Sequence, residues 1–180
     1  MENPVLNAIR ERRSTVRFKS APVDEEKIQK ILEAGRWAPS YLNSQPWEFL
    51  ILTDPEVKRQ LCQIGVKITL FSEGIETASA VIVIVVDPRK DPSHYIEDGS
   101  AATQNMALAA HSLGLATYWI GILDLQKRGK TTEEAVKELL GIPKVFRVIA
   151  LLPIGVPAYE EHSDRKKMSD IVHRDKYGEV

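Results

Sequence analysis

The chain has 180 residues and a formal net charge of −1, so a single domain with a substantial core is expected, and no global field draws in nucleic acid or an anionic membrane. The balance of 43% hydrophobic and 27% charged residues is that of a soluble globular protein, and the longest apolar run, Ala78 to Val86, is too short to span a bilayer. The only cysteine, Cys62, excludes an internal disulfide and fits a reducing, cytoplasmic compartment.

The N-terminus, MENPVLNAIRERRS, is charged within its first turns and has no apolar signal core. Asn3-Pro4 predicts a capped helix whose apolar face is Val5, Leu6 and Ile9, running into Arg12 and Arg13. Asp24 predicts the cap of a second helix with Ile28, Ile31, Leu32 and Gly35 inward, ending near Pro39. Glu48 to Leu52 reads as a strand, and Asp54-Pro55 opens a third helix through about Val66. The β-branched run Ala78 to Val86 suits a central strand covered on both faces.

Glu97 to Leu115 reads as a long helix, rich in small residues and stopped by Gly114. Thr117 to Leu123 is a further strand, and Thr131 to Gly141 a short helix with a Thr-x-x-Glu capping box. Val145 to Val156 is a long strand. From Pro157 to the end the chain is polar, without period or core, and reads as an arm laid over a surface. Alternating helices and strands suggest an α/β sandwich with helices clustered at the front.

Dinucleotide and phosphate-loop glycine fingerprints are absent, and His94, His111, His162 and His173 are scattered, so a Rossmann site, a P-loop or a zinc centre is not expected. Three stretches carry the chemistry instead. RRSTVRF (Arg12 to Phe18) concentrates guanidinium forks and a hydroxyl, the donors that grip a phosphate, although a solvated basic helix end has the same composition. APSYLNSQPW (Ala38 to Trp47) places Ser40, Asn43, Gln45 and Tyr41 between two prolines. Such groups could meet the edge of a planar heterocycle or simply satisfy their own turn. PIGVP followed by RKK (Pro153 to Lys167) is a strand exit and a basic cluster.

Taken together, RRSTVRF, APSYLNSQPWEF, DGSAATQNMALAAHSLGLATYWIG and PIGVP…RKKMSDIVHRDKYG resemble, in order and over nearly the whole chain, the nitroreductase family of flavin enzymes. The resemblance implies an α+β fold of three α-β-α layers, with a mainly antiparallel central sheet and a long central helix at a homodimer interface. Residues 1–180 would form one domain, with 157–180 an arm packed on the partner subunit. FMN would bind non-covalently between subunits. Arg12 and Ser14 would contact its phosphate and ribityl chain, Arg13 would lie beside them, and Arg165 would clamp the phosphate. Pro39, Ser40, Tyr41 and Asn43 would reach the flavin from the partner, Val16 and Gln45 are further candidate cofactor-binding positions, and Ile120 and Gly121 would bring backbone amides to its ring.

The implied activity is ping-pong hydride transfer from NADH or NADPH through flavin N5 to a small electron-poor acceptor such as a nitroaromatic, a quinone or another flavin. Many members carry a cation where this chain has Val16. The basic residue falls at Arg17 instead, and Lys67 is a candidate substitute. That departure keeps open a non-catalytic flavin store or sensor. Neither a membrane nor a nucleic-acid partner is expected, the basic stretch Arg10 to Lys19 being a local feature.

Overall fold

The computed structural model describes residues 3–65, 73–122 and 131–178, and its helix starts follow the local signals. Helix α1 spans Pro4–Glu11, and the Asn3 side chain accepts from the amides of Val5 and Leu6. Helix α2 spans Glu25–Arg36. Asp24 holds its N-cap position in extended backbone but makes no side-chain capping bond. Strand β1 is Trp47–Leu52, and helix α3, Pro55–Gly65, is capped by Asp54, which accepts from Glu56 and Val57. The predicted end of that helix at Val66, and Lys67, lie outside the described residues.

A short helix α4, Glu73–Thr77, has no counterpart in the sequence reading. Strand β2 is Ala80–Val86, and the long helix α5 runs Tyr95–Ser112, starting two residues and ending three residues earlier than its composition indicates. Gly114, at φ 75°, closes α5 in the left-handed conformation that an L side chain resists. The strand expected from Thr117 to Leu123 is two short pieces among the described residues, β3 (Ala116–Thr117) and β4 (Ile120–Gly121). Helix α6, Thr132–Leu140, has the complete reciprocal capping box of Thr131 and Glu134. Strand β5, Arg147–Gly155, is the longest among the described residues.

The sheet order is β1-β2-β5-β3, with β4 also on β5, and every pair is antiparallel. β2 is buried along its whole length, as its unbroken apolar run requires. Its odd and even positions serve two cores. Val81, Val83 and Val85 pack with Leu61, Ile75 and Val136 of α3, α4 and α6, whereas Ile82, Ile84 and Val86 pack with Ile28, Ile31 and Met106 of α2 and α5. Each fully buried Val or Ile contributes roughly 1.5–3 kcal/mol. The result is an α+β fold of three layers.

The β2–β5 register shifts at Ile84/Val85, and in β5 both Ile149 and Ala150 face the α2/α5 core. That doubling is a bulge, where one extra residue turns the strand without losing its apolar faces. At its start, β5 is tied to neighbours by Arg147, whose Nε donates to Glu133 of α6 at 3.0 Å and whose Nη1 donates to Tyr95 of α5 at 3.2 Å. Among the described residues no helix is long and apolar enough to cross a membrane.

Two surfaces stay uncovered. Helix α1 has no buried residue, and Val5, Leu6 and Ile9 are all more than half exposed. The arm after Pro157 is almost wholly exposed and adds nothing to either core.

Candidate functional site

The arginine segment is carried to one end of the sheet by backbone bonds rather than by its own helix. Thr15 N donates to Thr117 O at 3.0 Å, Lys19 N to Val156 O at 2.9 Å, and Ala158 N to Arg17 O at 3.1 Å. Residues 14 to 19 therefore lie between β3 and the exit of β5. Phe18 bridges to Pro157, and a Cβ on Gly155 would sit 2.8 Å from the Phe18 ring. Gly155 is glycine because the aromatic ring lies against its backbone.

This path gathers Arg12, Arg13 and the start of the arm around a cavity of 560 Å³, lined also by Ala107 and His111 of α5 and by Thr117. The volume suits a mononucleotide-sized ligand. Burial, then the charges of Arg13 and Arg165, pull the Arg12 guanidinium below its ordinary value. Arg165 is not among the lining residues, although its charge is felt at Arg12, and the wall also carries the carboxylates of Glu11, Glu160 and Glu161. Arg13 spends its Nη1 on the carbonyls of Arg10 and Arg12 and reaches Ser163 O through Nη2 at 3.5 Å, while its Nε is a buried donor with no partner. Arg165 is exposed and donates to Ser163 and Asp164 of its own turn. Ser14 is exposed beside Thr117, with which it forms a backbone bridge.

Val16 is half-buried against the α3/α4/α6 core. Arg17 is exposed and lies close enough to Tyr159 for its charge to be felt there. Ile120 is buried in the same core as Val16 contacts, whereas Gly121 is exposed, with open space where a side chain would begin.

The loop Ala38–Trp47 lies at the opposite end of α5. Leu42, Asn43 and Gln45 hold φ of 47°, 58° and 45°. The left-handed region costs a non-glycine residue roughly 1–2 kcal/mol, so other bonds must hold it. Ser40 Oγ accepts from Gln45 N at 3.0 Å, and Gln45 Nε2 donates to Asn43 Oδ1 at 3.1 Å. Tyr41 stacks on His94 at 4.1 Å, and Asp98 accepts from Tyr41 N and Ser44 Oγ. Pro39, Tyr41 and Asn43 remain exposed.

The predicted site residues thus fall into two groups that one chain does not bring together. From Asp98 at the loop to His111 at the arginine cavity, α5 spans roughly 20 Å at its helical rise. Sequence reading passed over Asp98 and set His94 aside as one of four scattered histidines. The visible trace of the first is its place beside Glu97, immediately before the uncharged stretch Gly99 to Ala110 of α5.

The model of the Nitroreductase family matches residues 9–64 and 63–156. A protein of Archaeoglobus fulgidus, provisionally named NADH dehydrogenase/NAD(P)H nitroreductase, is 34% identical over 96% of this chain and 98% of its own. Among solved structures, an FMN-dependent nitroreductase of Clostridium difficile R20291 has a TM-score of 0.88 at 28% identity, covering 96% of this chain and 99% of its own. A provisionally named nitroreductase of Desulfovibrio desulfuricans, solved in complex with FMN, has a TM-score of 0.79 at 31% identity, covering 98% and 99%. Fold and sequence lead to one conclusion: the chain belongs to the nitroreductase family.

Proposed function

We propose that the protein is an FMN-dependent oxidoreductase that takes reducing equivalents from NADH or NADPH and passes them to a small electron-poor acceptor such as a nitroaromatic, a quinone or a flavin. The observation that carries this reading is the arginine cavity: Arg12 and Arg13, the latter with a buried unpartnered Nε, line a space of mononucleotide size, and the charge of Arg165 is felt at Arg12. Arg12, Arg13, Ser14 and Arg165 would hold the phosphate and ribityl chain, and the exposed backbone of Gly121 lets a planar ring approach the sheet. When bound, FMN supplies hydride acceptance and donation at N5, which makes a two-stage, ping-pong exchange the natural scheme. The chain's residues anchor, orient and exclude water. No side chain is assigned as acid or base.

The complete site is proposed to need two copies. An antiparallel pairing of α5 about a twofold axis would bring one copy's loop, with Pro39, Ser40, Tyr41, Asn43 and Gln45, to the other's arginine cavity. The same pairing would give Val5, Leu6, Ile9 and the arm 157–180 a surface to cover, and 1–180 would act as one domain. The single buried Cys62 supports a cytoplasmic setting.

A second reading, a flavin store or sensor, is favoured by Val16, which packs toward the core at the position where the family resemblance implies a cation. The visible spectrum during anaerobic addition of NADH or NADPH separates the two. Flavin bands that bleach within turnover time support the oxidoreductase. Bands that persist with both donors support the binder, and a protein that takes up no FMN refutes both.

A further inference from the structure

The loop Ala38–Trp47 is held in a backbone its own residues disfavour, and the group that holds it comes from α5. Asp98 is 4% exposed in the first turn of that helix. Its Oδ1 accepts from Tyr41 N at 3.0 Å and its Oδ2 from Ser44 Oγ at 3.1 Å. These partners bracket Leu42 and Asn43, two of the residues at positive φ. The carboxylate therefore spans the left-handed turn and fixes its ends to a helix seated against α2 and the sheet.

Burying a carboxylate is costly, and α5 already packs through Ala102, Met106 and Ala110. What Asp98 adds is the shape of the loop. With Tyr41 and Ser44 tied down, Tyr41 and Asn43 stay exposed while their backbone is fixed, and the His94 ring stacks against Tyr41. A polar surface that is rigid before its ligand arrives loses little entropy on binding.

We propose that Asp98 is a positioning residue that presents the Ser40–Gln45 loop to the FMN of a second copy. The inference rests on the FMN reading above. Geometry, not charge, carries the effect. Asp98→Asn keeps an acceptor for Tyr41 N and offers an amide to Ser44 Oγ, whereas Asp98→Ala removes both bonds.

The test is FMN titration of the full-length dimer, followed by flavin fluorescence, with dimer mass and melting temperature recorded in parallel. Asp98→Ala is expected to raise the FMN Kd at least about tenfold, and Ser44→Ala about threefold, while Asp98→Asn stays within about threefold of wild type. If wild type fails to bind FMN, the functional reading falls, and that result is visible without any variant. If wild type binds tightly and neither Asp98→Ala nor Ser44→Ala weakens binding, the reading survives and this inference is overturned. Asp98→Asn binding as weakly as Asp98→Ala overturns the geometric account. Should Asp98→Ala fail to form a folded dimer, Ser44→Ala and Asp98→Asn decide by the same criteria.

The placement in trans is read from a heterodimer of one Arg12→Ala chain and one Asp98→Ala chain, isolated with two tags. One tight FMN per dimer is expected, because one site keeps both intact contributors. No tight FMN places loop and arginines in the same chain's site and overturns the proposal.

Discussion

The two ends of α5 are built on opposite terms. At its N-terminal end the loop 38–47 is finished within one chain: a buried carboxylate, an internal Ser40–Gln45 bond, and the stacked Tyr41 and His94 rings hold three residues at positive φ. At its C-terminal end the arginine cavity is unfinished. Its cations oppose one another, Arg13 Nε has no acceptor, and the arm beside it adds nothing to either core. The loop stores strain against a rigid scaffold, and the cavity keeps a buried donor without a partner. The first is organised before a ligand arrives, and the second is organised by it.

The sharpest way to break this contrast is to remove the charge. Arg12→Ala is expected to weaken FMN binding by about a hundredfold, the loss of a charge-assisted contact of roughly 2–3 kcal/mol. The ligand-free protein should melt no lower than wild type, because the substitution relieves like-charge repulsion. Flavin fluorescence titration and a melting curve check both halves. A large fall in ligand-free stability would mean that the arginines serve the fold.

A smaller effect is expected from relaxing the loop. Leu42→Gly places a residue that tolerates φ 47° at an 84% exposed position. Relief of left-handed strain should change stability by no more than about 1 kcal/mol, because glycine's greater freedom when unfolded offsets it. FMN affinity should fall severalfold as the loop loses rigidity, and calorimetry beside the same titration reads the pair. Stability and affinity rising together would show that the strained shape has no part in binding.

The smallest effect concerns the loop's neighbour. Hydrogen bonds from Arg89 hold the Asp87 carboxyl down at about 2, against an ordinary 3.8. A carboxyl whose folded value is depressed adds stability that is fully present above the ordinary value and is lost as pH falls through the folded one. Asp87 N donates to Pro46 O, so the loop end should loosen between about pH 4 and pH 2. Asp87→Asn should flatten that part of a pH-melting series, and an unchanged profile would count against the assignment.

Much of the fold was legible in local chemistry. The caps at Asn3, Asp54 and Thr131 hydrogen-bond within three residues of themselves, so their signals are complete in the sequence. The continuous apolar run of β2 likewise announces two covered faces. Helix α4 was not legible, since five residues with one buried isoleucine carry no period. The break between β3 and β4 was not legible either, because it depends on how each piece meets β5. Of the candidate site, the residue types were readable, and the family resemblance implied a split of arginines and loop between subunits, but their places in one chain were not readable. Arg12 and the loop both looked ligand-facing, but only the structure shows them at opposite ends of one helix.

By itself, then, the sequence determined the capped helices, the central strand, the polar loop and the arginine segment, together with a likeness to one family. Those follow from interactions between neighbours along the chain. The tertiary structure decided that residues 12 to 19 lie along Thr117 and Val156, that Asp98 clamps a loop 57 residues earlier in the chain, and that α1 leaves its apolar face open. These depend on contacts between distant segments, whose partners are chosen by how the layers pack and leave no periodic trace in the sequence.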